Sequence, residues 1–180
     1  MKKQILIPVV LTGLLIGFLS ASQLWPRPSR AEGIARLFVE YCLPHHHGKD
    51  MRPKAMAEFV AERSDLAETR WIDNETASYL SLKADKCGIN TIHPFAISRE
   101  DAEELLNLVE AIVQESFPEL PFDPKATMGP NSISKGWMQG SSFSPDRWGV
   151  FFWAFPDWGE SSGSTLFLAS PRLKTDLGAN

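Results

Sequence analysis

The chain has 180 residues, with 18 basic and 22 acidic side chains, four histidines and two cysteines. Beyond residue 31 the balance is 14 basic against 22 acidic residues, a net charge of −8, the wrong sign for holding a nucleic-acid backbone or an anionic lipid surface. That part, about 150 residues, is the size of one ordinary domain with a real core.

The first element is a leader. Lys2 and Lys3 precede a run from Gln4 to Trp25 without a charge, and Ile5 to Leu19 is almost wholly apolar. A basic end followed by an apolar stretch is what an export machinery recognises. Small residues (Ser20, Ala21, Ser22) and a stretch broken by Pro26 and Pro28 follow. Residues 1–31 therefore read as a signal peptide cut after Ala21, Ser22 or Ala31. The alternative is a signal anchor, with residues 4–25 spanning an inner membrane of about 30 Å. The domain beyond would be periplasmic or secreted, touching a membrane only through this segment if it stays attached. There an isolated pair such as Cys42 and Cys87 is expected to form a disulfide.

Residues 32–173 read as a single domain, with a patternless tail at 174–180. Ile34, Leu37, Phe38, Tyr41 and Cys42 mark one buried helical stripe over Glu32–Leu43,. Pro44 ends it, and His45, His46 and His47 form a polar loop. A second helix begins at Pro53 and runs to about Arg63 on Ala55, Met56, Phe59 and Val60,. Trp71-Ile72, Thr76–Leu82 and Lys86–Ile92 read as short antiparallel strands. Ser98 with Asp101 has the spacing of a capping box, opening a helix whose buried face is Leu105, Leu106, Val109, Ile112, Val113 and Phe117,. After a Pro-rich connection, Ile133–Met138, Trp148–Phe155 and Thr165–Ala169 read as a meander. The fold class is α+β: about three helices packed on one face of an antiparallel sheet, with one disulfide.

The sequence carries no phosphate-binding or G-x-S-x-G signature,. Eight aromatic residues fall between Trp137 and Trp158. In a strand, Phe151, Trp153 and Phe155 share one face, opposite Val150, Phe152 and Ala154. Trp148, Trp153, Phe155 and Trp158 are thus candidate contacts for an envelope protein or a glycan. A second reading is a Zn- or Cu-binding protein using His45, His47 and His93, since alternate residues of an extended loop point the same way. A third is a hydrolase of unknown class, pairing His93 with Ser141, Ser142 or Ser144, or Asp157 with Glu160. The leading expectation is a non-enzymatic exported protein that binds its partner through the aromatic sheet, without a resident cofactor.

Overall fold

The computed structural model describes residues 28–63, 69–141, 144 and 146–171. The expected leader up to residue 27, Ser142, Phe143 and the expected tail lie outside the described residues.

Chain entry sets the first helix. Ser29 accepts a hydrogen bond from the Glu32 amide, and the Glu32 carboxylate accepts from the Ser29 amide at 2.7 Å. This reciprocal cap satisfies two donors that a helix start leaves open. It places α1 at Arg30–Leu37, two residues earlier than the apolar stripe implies. The helix widens into a π-helical segment, Phe38–Cys42, and tightens again as α2, Leu43–His46. Pro44 falls in the first turn of that last piece, where a missing N–H costs little. The helix therefore runs on through His46, and the histidines are not an extended loop.

The second helix, α3, is Arg52–Glu58. Phe59 then turns extended, and Val60–Arg63 forms β1 against β2 (Thr69–Asp73). The apolar residues from Ala55 to Val60 look helical in spacing, but only Ala55 is fully buried, whereas Met56 and Val60 are exposed. With so little burial on the helical stripe, a β-branched residue facing an open strand partner decides the conformation.

Strands β3 (Ser78–Lys83) and β4 (Lys86–Ile92) continue the hairpins. The long helix α4 (Arg99–Ser116) begins at Ser98, whose hydroxyl accepts from the Asp101 amide. Strands β5 (Ile133–Gln139), β6 (Trp148–Phe155) and β7 (Gly163–Ala169) follow. All pairings are antiparallel, in the order β1-β2-β3-β4-β7-β6-β5. The seven-stranded sheet is larger than the sequence pattern implies, because β1 replaces a helical turn and both halves join through β4 and β7.

One sheet face carries Leu80, Cys87, Ile89, Val150, Phe152, Ala154, Leu166 and Leu168, which join Ile34, Phe38, Tyr41, Leu105 and Val109 of the helices in one core. Cys42 and Cys87 form the disulfide, with Cα atoms 5.2 Å apart, tying the π-helical segment to β4. The bond accords with an oxidising compartment. Among the described residues no helix is long and apolar enough to cross a membrane.

Candidate ligand-binding face

Side chains alternate along a strand, so the registers that send Phe152 and Leu166 inward send their neighbours to the opposite face. Across the strands these form rows. One is Ile72, Tyr79, Asn90, Thr165, Trp153 and Ser134, from β2 to β5. The next is Arg70, Ser81, Gly88, Phe167, Phe151 and Gly136. The described helices pack on the other side of the sheet.

The aromatic end of this open face is a cluster of tilted rings. Trp153 lies 5.5 Å from Phe155 and Trp158 lies 4.3 Å from it, centroid to centroid. Phe155, 9% exposed, is the support, whereas Trp158 in the turn after β6 is 50% exposed. Beside Trp158 opens a recess of about 340 Å³ lined by Arg99, Pro130, Asn131, Ser132 and Asp157. Arg99 pairs with Asp157 through its guanidinium. An indole flanked by an amide, a hydroxyl and an ion pair offers an apolar plate with donors and acceptors on its rim.

Trp148 is not part of that cluster. Its parity places it on the helix-covered face, where it stacks on the His46 ring at 5.3 Å and meets Phe117 edge-on at 6.0 Å. The four aromatic candidates thus separate into one ring that completes the core and three gathered at one end of the open face.

The histidines are dispersed. His45 Nε2 meets the Lys83 carbonyl at 2.7 Å, and His46, buried, hydrogen-bonds Ser170 Oγ through Nδ1 at 2.5 Å. His47 is exposed. His93 follows β4 at the end remote from Lys83, and a seven-residue strand separates the two ends by about 20 Å,. The structure does not bring His45, His47 and His93 together, and no group of three metal-ligating side chains occurs among the described residues. Ser141 and Ser144 lie in the β5–β6 connection, beyond Trp148, while His93 lies near Gly163 and Phe155 at the other end of the strands. Ser144 donates to Asp146, and Asp157 is engaged by Arg99. These serines are not grouped with His93.

A feature that the sequence reading missed lies at the opposite end of the open face. Arg70 sits over the Tyr79 ring at 4.9 Å, Lys86 sits over the Phe167 ring at 3.7 Å, and Lys83 pairs with Lys86 across the β3–β4 turn. The alternate spacing of Ser81 and Lys83, and of Lys86, Gly88 and Asn90, carries the signal, but only the strand register unites them with Arg70 and Thr165.

Two ion pairs shape the rest of the surface without lining this face. Arg147 pairs with Asp123 and holds that carboxyl below the usual range, fixing the Pro-rich connection against the β5–β6 hairpin. Lys135 pairs with Glu110 at 2.6 Å, joining β5 to α4. Comparison with protein-family models, with curated proteins and with solved structures finds no match for this chain.

Proposed function

We propose that this is an exported, disulfide-bonded binding domain that captures a glycan on the open face of its sheet, at the end formed by Trp153, Phe155 and Trp158. The observation that carries the reading is the ring cluster itself: two partly accessible indoles tilted against one buried phenyl ring, beside a recess supplied with amide, hydroxyl and ion-pair groups. A sugar ring has an apolar C–H face and a rim of hydroxyls, and the two kinds of group meet those needs separately. A protein partner is the less favoured occupant, because Asn90, Thr165 and Ser134 set polar groups in the same row as Trp153.

The test is intrinsic tryptophan fluorescence of the oxidised chain titrated with neutral and acidic oligosaccharides. Saccharide binding shifts the emission, and Trp158→Ala or Trp153→Ala weakens binding tenfold or more, about 1.4 kcal/mol. Trp148→Phe leaves the affinity unchanged. A panel that produces no saturable response, or indole-deleted variants that bind like the parent, refutes the reading.

A further inference from the structure

Beyond Asn90, on the side away from Trp153, the open face turns apolar. Ile72 and Tyr79 continue the row of Asn90, and Ile92 follows it two residues along β4. With Asn74, Ala77 and Phe95 they line a cleft of about 290 Å³. Ile92 is 51% exposed and Phe95 61%, although a sheet face turned to water favours polar side chains. The hydroxyl in the lining, Ser78 Oγ, is hydrogen-bonded to Thr76 Oγ1 at 2.7 Å. The cleft therefore offers a ligand mainly hydrocarbon.

Two separate segments form its walls: the β2–β3 turn with Asn74 and Ala77, and the loop after β4 with Phe95. Arg30 fastens one to the other. Its guanidinium donates to the Thr76 and Ala77 carbonyls on one side and to the Phe95 and Ala96 carbonyls on the other. Ala77 is held at φ +49°, in the left-handed region where an alanine rarely rests. The cleft is thus formed in advance, and covering a phenyl ring on a loop already fixed costs little freedom.

We propose that this cleft holds a hydrocarbon chain carried by the glycan, so that the ligand is an alkylated or acylated saccharide. The sugar part rests on the glycan reading above; the cleft rests on its lining and its clamp. Phe155 pairs with Gly163 and Gly163 with Ile92 on adjacent strands, which sets Phe155 and Ile92 about 10 Å apart. One molecule can therefore lie on the indoles and reach the cleft. The volume stands at the lower end of small-molecule sites. A protein interface takes about 800 Å² from each partner, whereas Asn90 and Thr165 bound the apolar surface on its sheet side.

Calorimetric titration of the full oxidised chain with octyl β-maltoside below its micelle-forming concentration, with methyl β-maltoside and with 1,2-octanediol tests this. The octyl glycoside binds at least tenfold tighter than the methyl one, since each methylene taken out of water strengthens binding by up to about fourfold. Phe95→Ser with Ile92→Thr abolishes the advantage and leaves the methyl glycoside affinity unchanged, while Trp153→Ala weakens both glycosides. Phe95→Ser alone serves if the double variant fails to fold. Equal binding of the two glycosides, or an octyl preference surviving in the double variant, overturns the chain site and leaves the glycan reading standing. Octanediol bound as tightly as the octyl glycoside, and lost in the double variant, supports the cleft and overturns the glycan reading. Silence towards all three probes overturns both.

Discussion

Breaking the Cys42–Cys87 bond should cost the domain a large part of its stability. The bond closes a loop with a sequence separation of 45 residues, and the chain-entropy relation gives about 4 kcal/mol for a loop of that length at 25 °C. Domains of this size are held by about 5–15 kcal/mol, so reduction removes between a quarter and most of the total. Both cysteines are fully buried, so the reduced thiols still fill their places and the loss is chiefly that of the cross-link. With a urea slope of about 2 kcal/mol per molar, the unfolding midpoint should fall by about 2 M. The assay is urea unfolding followed by tryptophan emission, on oxidised protein and on protein held reduced by excess dithiol, with thiol counting under denaturing conditions. Coincident midpoints, or two titratable thiols in protein purified without reductant, would refute the reasoning and remove the support for an oxidising compartment.

A chain beginning at Glu32 should be less stable by about 3 kcal/mol than one beginning at Ser22. It lacks the Ser29 cap and the Arg30 guanidinium, which donates to the carbonyls of Thr76, Phe95, Ala96 and Ala77,; urea midpoints of the two chains decide it. Gly33→Ala should destabilise by about 1–3 kcal/mol even though alanine is the better helix former. Its Cβ would come within 2.5 Å of Thr76 Cγ2, and Thr76 is held by bonds to Asp73 and Ser78; a rise in melting temperature would show that this contact yields. Acidification should weaken the domain in part through Asp123. Its carboxyl is depressed first by the Arg147 hydrogen bond, so its contribution is complete above the unfolded value of about 3.9 and is lost as pH falls through the lower folded value. Asp123→Asn should be less stable at pH 7 and show a flatter stability profile below about pH 4.

The elements visible in the sequence are those whose burial follows one period. Lys86–Ile92, Trp148–Phe155 and the Ser98-capped helix lie where alternation or the i, i+3, i+4 spacing puts them. Val60–Arg63 was hidden because its conformation depends on pairing with residues six to twelve positions further on, a contact beyond the reach of helical spacing that outweighs four helix-spaced apolar side chains. The start of α1 was misplaced because Ser29 directly follows Pro26 and Pro28, which read as a break, although Ser29 and Glu32 have the spacing of a capping box. In the candidate site, the parity of Phe151, Trp153 and Phe155 was legible, and the same parity assigns Trp148 to the core face. The grouping of Arg70, Lys86 and Thr165 was not legible, since they come from three strands whose order only the folded sheet determines.

The aromatic residues of β6 and β7 serve two different ends, and their stabilities should divide accordingly. An antiparallel sheet covered by helices on one side turns polar or β-branched residues outward, and Thr165 in the same row shows that such a residue fits here. Outward rings at 151, 153 and 167 are therefore not a requirement of the strands. Trp148, packed against His46 and Phe117, is another matter, because truncating it opens a cavity worth about 3 kcal/mol. Trp153→Ala, on the partly solvated face, should cost about 1 kcal/mol while weakening saccharide binding tenfold or more. Stability and affinity measured on the same two variants thus separate a ring that builds the domain from one that equips it. If Trp153→Ala destabilises as much as Trp148→Ala, the open-face aromatics are structural, and the physical case for a binding surface at that end of the sheet falls with them.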